Sequence, residues 1–346
     1  EVMQTAGGMQ TAKMTEIHRQ KNDLLKDTVA DIIEKREQDA FKKLAGNTVE
    51  LKDNEKLIAR IVADVRQDVG REIRHELSGA GEKSHKDTLV ITALNEDRRA
   101  INNGVRQALK EDGVISGQAR DTEVLVNRGM TKAQASHAQN YHEGDVVRFG
   151  RDYERLGVKG GEYARVVGVS DLGTVKLQKA DGQTLDWRPA QTSKIEVFHA
   201  ERRELQAGDK IRFTRNDKDR GLNNGDVAYV KAINGDKATV QLKGKTVAID
   251  LREVKHLDYA YASTIHSSQG KTVDATAFHV RGKSGQVFGD RAFYVGATRS
   301  RHELRIYTDD KDAALRAVSR DQHKASALEE LKQGQSAGRQ RSGYSR

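Results

Sequence analysis

Tyr259-Ala260-Tyr261-Ala262-Ser263-Thr264-Ile265-His266-Ser267-Ser268-Gln269-Gly270-Lys271-Thr272 is the most specific string in the chain. Its first half reads as the end of a strand. Its second half, small hydroxyl residues running into a glycine, leaves backbone N–H groups and hydroxyls free to meet phosphate oxygens. Gln269-Gly270-Lys271-Thr272 invites comparison with a phosphate-binding loop. The first glycine of G-x-x-x-x-G-K-[ST] would fall at Ile265, so the string is not a Walker A site.

Two further strings place an arginine beside a helix. Phe293-Tyr294-Val295-Gly296-Ala297-Thr298-Arg299-Ser300-Arg301 begins as a helix and runs into a strand, and Met14-Thr15-Glu16-Ile17-His18-Arg19-Gln20 leads into another helix. A guanidinium fixed in such a place can approach a transferring phosphoryl group. Taken alone, an arginine near a helix end is more often one half of a surface ion pair worth little.

Composition sets outer bounds. At 346 residues two or more domains are expected. Cysteine is absent, which excludes disulfides and thiolate metal sites and suits a cytosolic protein. No apolar run approaches the roughly 20 residues of a membrane span, so no membrane insertion is expected. Residues 1–8 lack a signal peptide's charged start and apolar stretch. A net charge of +9 and a pI near 9.4 point to a polyanionic partner, nucleic acid being the commonest, or to a well-solvated surface. The opening Glu1-Val2-Met3-Gln4 reads as the interior of a longer protein.

Apolar spacing predicts helices over 22–39 and 54–77, a loop over 78–83, a buried strand over 88–92, and a helix over 95–110 with Asn95 as its cap. From about 122 to 251, short alternating segments separated by glycine turns suggest small β-barrels. An internal repeat lies there. Gly144-Asp145-Val146-Val147-Arg148-Phe149 matches Gly208-Asp209-Lys210-Ile211-Arg212-Phe213, and residues 161–166 match 225–230, both at an offset of 64. Beyond these the offset is read as 65, pairing Val175 and Leu177 with Val240 and Leu242. After Leu257 the α/β texture returns, with a strand over 304–308 and a helix over 312–331, and residues 333–346 form a Gly/Ser/Gln/Arg-rich tail of disordered character. The expected fold is α/β: a parallel sheet with flanking helices, split over 1–121 and 257–331, with two β-barrel repeats at 122–200 and 201–256 inserted and a linker at 332–346.

In their order along the chain, the three strings resemble superfamily 1 helicases of the RecD-like branch. Tyr-Ala-x-Thr-x-His-x-x-Gln-Gly resembles that family's motif V, Tyr-Val-x-x-Thr-Arg-x-Arg its motif VI, and Glu-Ile-x-Arg-Gln its motif IV. Asp217 through Gly225 to Val230 resembles its SH3-like barrel insertion. Met9-Gln10-Thr11-Ala12 and Arg305-Ile306-Tyr307-Thr308-Asp309-Asp310 are similar to the TraI/TrwC group of conjugative relaxase–helicases. The resemblance implies a second RecA-like domain. Arg19 and Arg299 would reach the nucleotide γ-phosphate, with Gln20, Gln269 and Gly270 coupling nucleotide state to DNA grip. Thr92, Asn95, Thr264, His266 and Ser267 would touch single-stranded DNA.

No G-x-x-x-x-G-K-[ST] and no apolar strand ending in Asp-Glu occurs in the sequence. ATP and Mg²⁺ are therefore expected only in a longer parent carrying the first, N-terminal RecA-like domain, with no cofactor and no metal site in this chain. The resemblance also implies a bacterial cytoplasmic protein that can pass to the recipient cell during conjugation. A second reading is a non-catalytic translocation-signal module that binds single-stranded DNA and docks a type IV secretion coupling protein. A generic basic barrel explains the charge but not the strings at 259–272 and 293–301. Aromatic residues are only 5% of the chain, which disfavours a broad base-stacking platform.

Overall fold

The computed structural model describes residues 17–79, 85–170, 172–282 and 288–320. Their contacts divide into two compact units. One takes the described residues up to Val69, Lys86–Val105 and those from Ala262 on; the other takes the described residues of Gly70–His85 and Arg106–Tyr261.

The first unit is built on a five-stranded parallel sheet in the order Thr48–Glu50, Ser300–Thr308, Val273–Val280, Thr88–Thr92, Ala262–Thr264. Every residue of Thr88-Leu89-Val90-Ile91-Thr92 is buried, as a strand covered on both faces must be. On one face Leu89, Ile91, Phe278, Val280, Leu304 and Ile306 pack against the helices Asp23–Ile33, Glu37–Lys43, Asp290–Arg299 and Lys311–Val318. Each such side chain contributes about 2 kcal/mol by leaving water. The other face meets the helix Asn54–Ser78, where Tyr307 donates its hydroxyl to Asp64 at 2.8 Å and Thr88 donates to Asp68 at 3.2 Å. This is the expected α/β architecture of a parallel sheet with flanking helices.

Three local expectations change. The helix predicted over 22–39 ends at Ile33 and a second one starts at Glu37. Lys35 adopts φ 62°, while Lys35 N–H donates to the Ile32 carbonyl and Arg36 N–H to that of Asp31. These bonds close a Schellman motif with lysine where glycine is usual, a stop that apolar spacing does not reveal. Asn95 is not a cap: it is the first residue of the helix Asn95–Glu111, and its Oδ1 accepts from Arg98 Nε at 3.2 Å. The C-terminal helix runs Lys311–Val318; the remainder of the predicted 312–331 helix past residue 320, and the 333–346 tail, lie outside the described residues. So do Met9–Ala12 and Glu16.

The second unit holds two antiparallel sheets. One runs Ser116–Asn127, Ile195–Ala207, Val146–Phe149, Tyr163–Val169, Val175–Lys179, Thr184–Trp187; the other runs Leu257–Tyr259, Lys210–Phe213, Val227–Asn234, Lys237–Leu242, Lys245–Asp250. The last five strands of the first sheet repeat in the second, in the same order. Val147 pairs with Ala164 and Ile211 with Ala228, each 64 positions later. The isolated bridge Tyr153–Val158 recurs as Asp217–Leu222, and the bulge at Val166/Gly168 recurs at Val230/Ala232, at the same spacing. The turns agree as well. Gly144 donates to the Val166 carbonyl at 2.9 Å and Gly208 to that of Val230 at 2.8 Å, with φ of 89° and 93°.

Past the bulge, the sequence alignment at 65 is corrected. Leu177 pairs with Val166, and its counterpart opposite Val230 is Val240, 63 positions on. The second hairpin turns at Asn234–Lys237 and is one residue shorter, so the register slips the other way. Alternating valine and leucine fit either alignment; only the ladder distinguishes them. The boundaries expected at 121/122 and 200/201 fall inside the continuous strands Ser116–Asn127 and Ile195–Ala207.

Candidate functional site

Arg19, Gln20 and Lys21 precede the helix Asp23–Ile33, and the string at 293–301 supplies the helix Asp290–Arg299 followed directly by the strand Ser300–Thr308. The structure brings these ends together. Arg19 Nη1 donates to the Thr298 carbonyl at 3.0 Å, Gln20 Nε2 to the Ser300 carbonyl at 3.0 Å, and Lys21 N–H to the Arg301 carbonyl at 2.7 Å. Gln20 is buried, so its amide acts as a clamp on the helix-to-strand turn. Arg299 spends its fork on three acceptors: the Val295 carbonyl at 3.2 Å, the Lys271 carbonyl at 3.0 Å and Thr298 Oγ1 at 3.1 Å.

Among the described residues, neither Arg19 nor Arg299 has a carboxylate partner. Burial, and then the charge of Arg19, push the Arg299 guanidinium below its ordinary value, with the Tyr294 hydroxyl opposing them. Two like charges held close by backbone carbonyls repel, and a bound anion would relieve that repulsion. Both arginines line an open cleft of about 1240 Å³ together with His18, Lys21, Ile33, Thr272, Tyr294 and Arg301.

The string at 259–272 divides at its middle. Leu257–Tyr259 closes the second antiparallel sheet, while Ala262–Thr264 is the edge strand of the parallel one. Past its C-terminal end the chain makes a hydroxyl knot. Ser267 Oγ lies 3.0 Å from both the N–H and the Oγ1 of Thr264, and Ser268 Oγ donates to the Ile265 carbonyl at 2.7 Å. His266, Ser267, Gln269 and Gly270 are exposed, Thr264 is half-buried, and Gly270 takes φ 83°. The segment then reaches Lys271 and Thr272 at the arginine cleft.

Thr92 and Asn95 stand at the C-terminal end of the neighbouring strand. Asn95 is exposed, whereas Thr92 has no exposed surface and its hydroxyl lies 3.1 Å from His279 Nδ1. Thr92 thus braces the sheet, and the surface near it is supplied by Asn95, Thr264 and the 266–270 segment. His279 Nε2 faces Asn54 Oδ1 at 3.1 Å, and Asn54 Nδ2 donates to Asp97 at 3.3 Å. This assignment makes Nε2 the protonated nitrogen and leaves Nδ1 to accept from Thr92. Sequence reading quoted Lys271 within the 259–272 string but gave it no role, and it passed over His279; Lys271 acts through a backbone carbonyl, which no motif marks, and His279 is a buried ring.

Comparison with known proteins bears on the same segment. Residues 259–307 match the UvrD-like helicase C-terminal domain. The multifunctional conjugation protein TraI of Escherichia coli is 26% identical over 280 residues, covering 78% of this chain and 15% of TraI. The conjugal transfer protein TraA of Rhizobium radiobacter is 33% identical over 136 residues, covering 37% of this chain and 12% of TraA. The chain thus spans a small part of the curated relatives it matches. A solved structure described as DNA unwinding at forked dsDNA by two coordinating Pif1 helicases aligns over 93% of this chain and 54% of its own, at 15% identity and a TM-score of 0.43. The motif order, the match at 259–307 and the conjugation relatives together support a similarity to a TraI/RecD-like superfamily 1 helicase region.

Proposed function

We propose that the chain is the C-terminal motor half of a DNA helicase acting in plasmid conjugation. Arg19 and Arg299 are its contribution to the terminal phosphate of ATP. A preceding RecA-like domain would hold ATP and Mg²⁺, so the chain alone is not an ATPase. Gln20, Gln269 and Gly270 transmit nucleotide state, and single-stranded DNA meets Thr264, His266, Ser267 and Asn95, with Thr92 bracing the strand behind them. The observation that carries this reading is the convergence of two arginines on one cleft, held by carbonyls and without a carboxylate among the described residues. Such a pair is built to meet charge that develops on a transferring phosphoryl group.

The test is DNA-stimulated ATP hydrolysis in a protein that includes the upstream motor domain. Arg299→Ala is expected to lower turnover about 10³-fold while changing single-strand affinity little. Equal turnover in the variant would remove the arginine-finger assignment.

The duplicated β unit favours a second reading that is compatible with the first. Each copy is taken here as an SH3-like barrel, and a motor needs no such doubling. In this reading the unit is a translocation signal for a type IV secretion coupling protein, and the protein leaves the bacterial cytoplasm for the recipient cell. A reporter fused to the chain should reach recipients during mating; a reporter retained in donors would count against it.

A further inference from the structure

Five steps in the chain place an asparagine or aspartate directly before a glycine: Asn103-Gly104, Asp112-Gly113, Asp181-Gly182, Asn224-Gly225 and Asn234-Gly235. Such a pair is chemically labile, because no Cβ on the glycine hinders attack of its nitrogen on the preceding side-chain carbonyl. That attack needs a nitrogen free to lose its proton and turn. Gly104 lies inside the helix Asn95–Glu111, where its N–H belongs to the helical ladder. Gly113 donates to the Lys110 carbonyl at 3.1 Å, Gly182 to that of Lys179 at 3.0 Å and Gly225 to that of Phe213 at 2.8 Å. Gly235 differs: among the described residues its N–H donates to no carbonyl. It sits with φ 58° in the turn between Asn234 and Lys237, the last pair of its ladder, and both Asn234 and Gly235 are exposed. The equivalent hairpin of the first β copy has no such step, since Leu172 precedes Gly173 there.

We propose that Asn234 is a site of spontaneous deamidation and that its isoaspartyl product opens the end of the hairpin that carries it. The Gly235 nitrogen, once its proton passes to hydroxide, attacks Asn234 Cγ. The new N–C bond closes a five-membered ring, and the Cγ–Nδ2 bond breaks and releases ammonia. Water then adds to one of the two ring carbonyls and opens the ring. Opening at the side-chain carbonyl gives aspartate; opening at the main-chain carbonyl gives isoaspartate, whose main chain runs through Cβ and Cγ. Water is the only co-reactant, and nothing is oxidised or reduced. The consequence follows from the anchors beside the turn. Leu251 N–H donates to the Asp236 carbonyl at 2.8 Å, and the Asp236 carboxylate pairs with Arg120. Isoaspartate inserts one more main-chain atom between residue 234 and these anchors. The pairing of Asn234 with Lys237 and the hold on Asp236 then cannot both keep their geometry, and the rungs at the turn give way first.

The experiment incubates the folded chain at mildly alkaline and at mildly acidic pH, beside a sample unfolded in guanidinium chloride, and digests each with trypsin. Mass spectrometry reads the peptide Ala232–Lys237, where conversion shows as the mass gain of an amide turned to an acid and as two products of equal mass that separate on the column. Asn234 is expected to convert in the folded chain at least roughly tenfold faster than Asn103 and Asn224, whose glycine nitrogens must first open locally. In guanidinium chloride all three should convert at comparable rates, since glycine follows each. Conversion should speed up with pH, because the attacking nitrogen must be deprotonated. Asn234→Gln should lose the signal without disturbing the exposed turn, since glutamine closes a larger ring more slowly. Freshly purified Asn234→Asp carries the new charge without the extra main-chain atom. Its amide exchange over residues 233–238 should match the wild type, whereas the aged wild type should exchange faster there. An Asn234 that stays intact in the folded chain while the unfolded chain converts, or folded-state conversion led by Asn103 or Asn224, would overturn the site. Conversion with unchanged exchange over 233–238 would overturn the opening of the hairpin and leave the modification standing.

Discussion

Arg299 donates through Nη1 to the carbonyl of Lys271 at 3.0 Å, tying the guanidinium at the end of one helix to the main chain that follows the Ala262–Thr264 strand. The residues from Ile265 to Thr272 run from the C-terminal end of that strand to the start of Val273–Val280. One end of the segment holds the Thr264–Ser267 hydroxyl knot and the other meets the arginine cleft. An anion that draws Arg299 away must compete with the Lys271 carbonyl for the same N–H group. Anion capture by Arg299 would thereby compete with retention of the loop at one hydrogen bond.

Arg299→Lys keeps the charge but not the fork, and a single ammonium cannot hold Val295, Lys271 and Thr298 at once. Amide exchange of the 266–271 segment should then speed up by roughly the factor of five to ten that one lost hydrogen bond is worth. Unchanged exchange there would mean that the loop does not depend on Arg299.

Gly296 lies on the helix that carries Arg299, and a Cβ at this position would come 2.5 Å from the Phe278 ring. Phe278 is fully buried in the sheet and cannot swing away. Gly296→Ala should cost about 1–3 kcal/mol by overpacking and lift the helix, so anion binding should fall along with the urea midpoint. A midpoint equal to that of the wild type would show that the helix is not seated as described.

The duplication allows an internal control. Gly144 and Gly208 are equivalent turn residues with left-handed φ, but a Cβ at Gly144 meets open space while one at Gly208 would sit 2.2 Å from the Val114 carbonyl oxygen. Gly144→Ala is expected to cost about 1 kcal/mol of backbone strain, and Gly208→Ala about 3 kcal/mol or more. Equal losses in thermal or urea unfolding would contradict the difference in packing between the two copies.

His279 is fully buried, and burial first, with Arg281 adding to it and Asp97 opposing, lowers it to about 4. A histidine depressed in the fold is neutral there while the unfolded chain takes up the proton. Its contribution is fully present above about pH 6.5 and is lost as pH falls toward 4. The expected loss is on the order of 3 kcal/mol across that window. His279→Gln should flatten this part of the stability–pH curve relative to the wild type; a curve of the same slope would place the titration elsewhere.

Single-strand affinity, if it rests on phosphates, should fall steeply with salt. Fluorescence anisotropy with a labelled oligonucleotide at 50 and 200 mM salt should show a drop of roughly 10² or more, for about four to five phosphate contacts. A flat response would point to stacking, which a chain with 5% aromatic residues is poorly equipped to supply.

Thr88–Thr92 was read with its observed ends because burial on both faces writes itself as an apolar run, and the second half of Ser300–Thr308 was read too, whereas the strands Val273–Val280 and Thr48–Glu50 were not. The β duplication was legible for a related reason: its turns need Gly144 and Gly208, Gly161 and Gly225, at φ values that other residues rarely adopt. The hairpin register was not legible, since Val175 and Leu177 alternate equally well against either partner set. The break at Lys35 was hidden because a Schellman stop normally announces itself with glycine.

By itself the sequence determined which residue types lie at which strand end, and so the motif order and the α/β class. It could not say that Arg19 and Thr298, 279 positions apart, share a hydrogen bond, or that Arg299 holds the Lys271 carbonyl. Those pairings use backbone acceptors, which every residue carries and no motif marks. Nor could it distinguish the outward Tyr294 from the inward Phe293. That choice depends on which side of the helix meets the sheet, and only the packing of Phe41, Phe278 and Phe288 around Phe293 decides it.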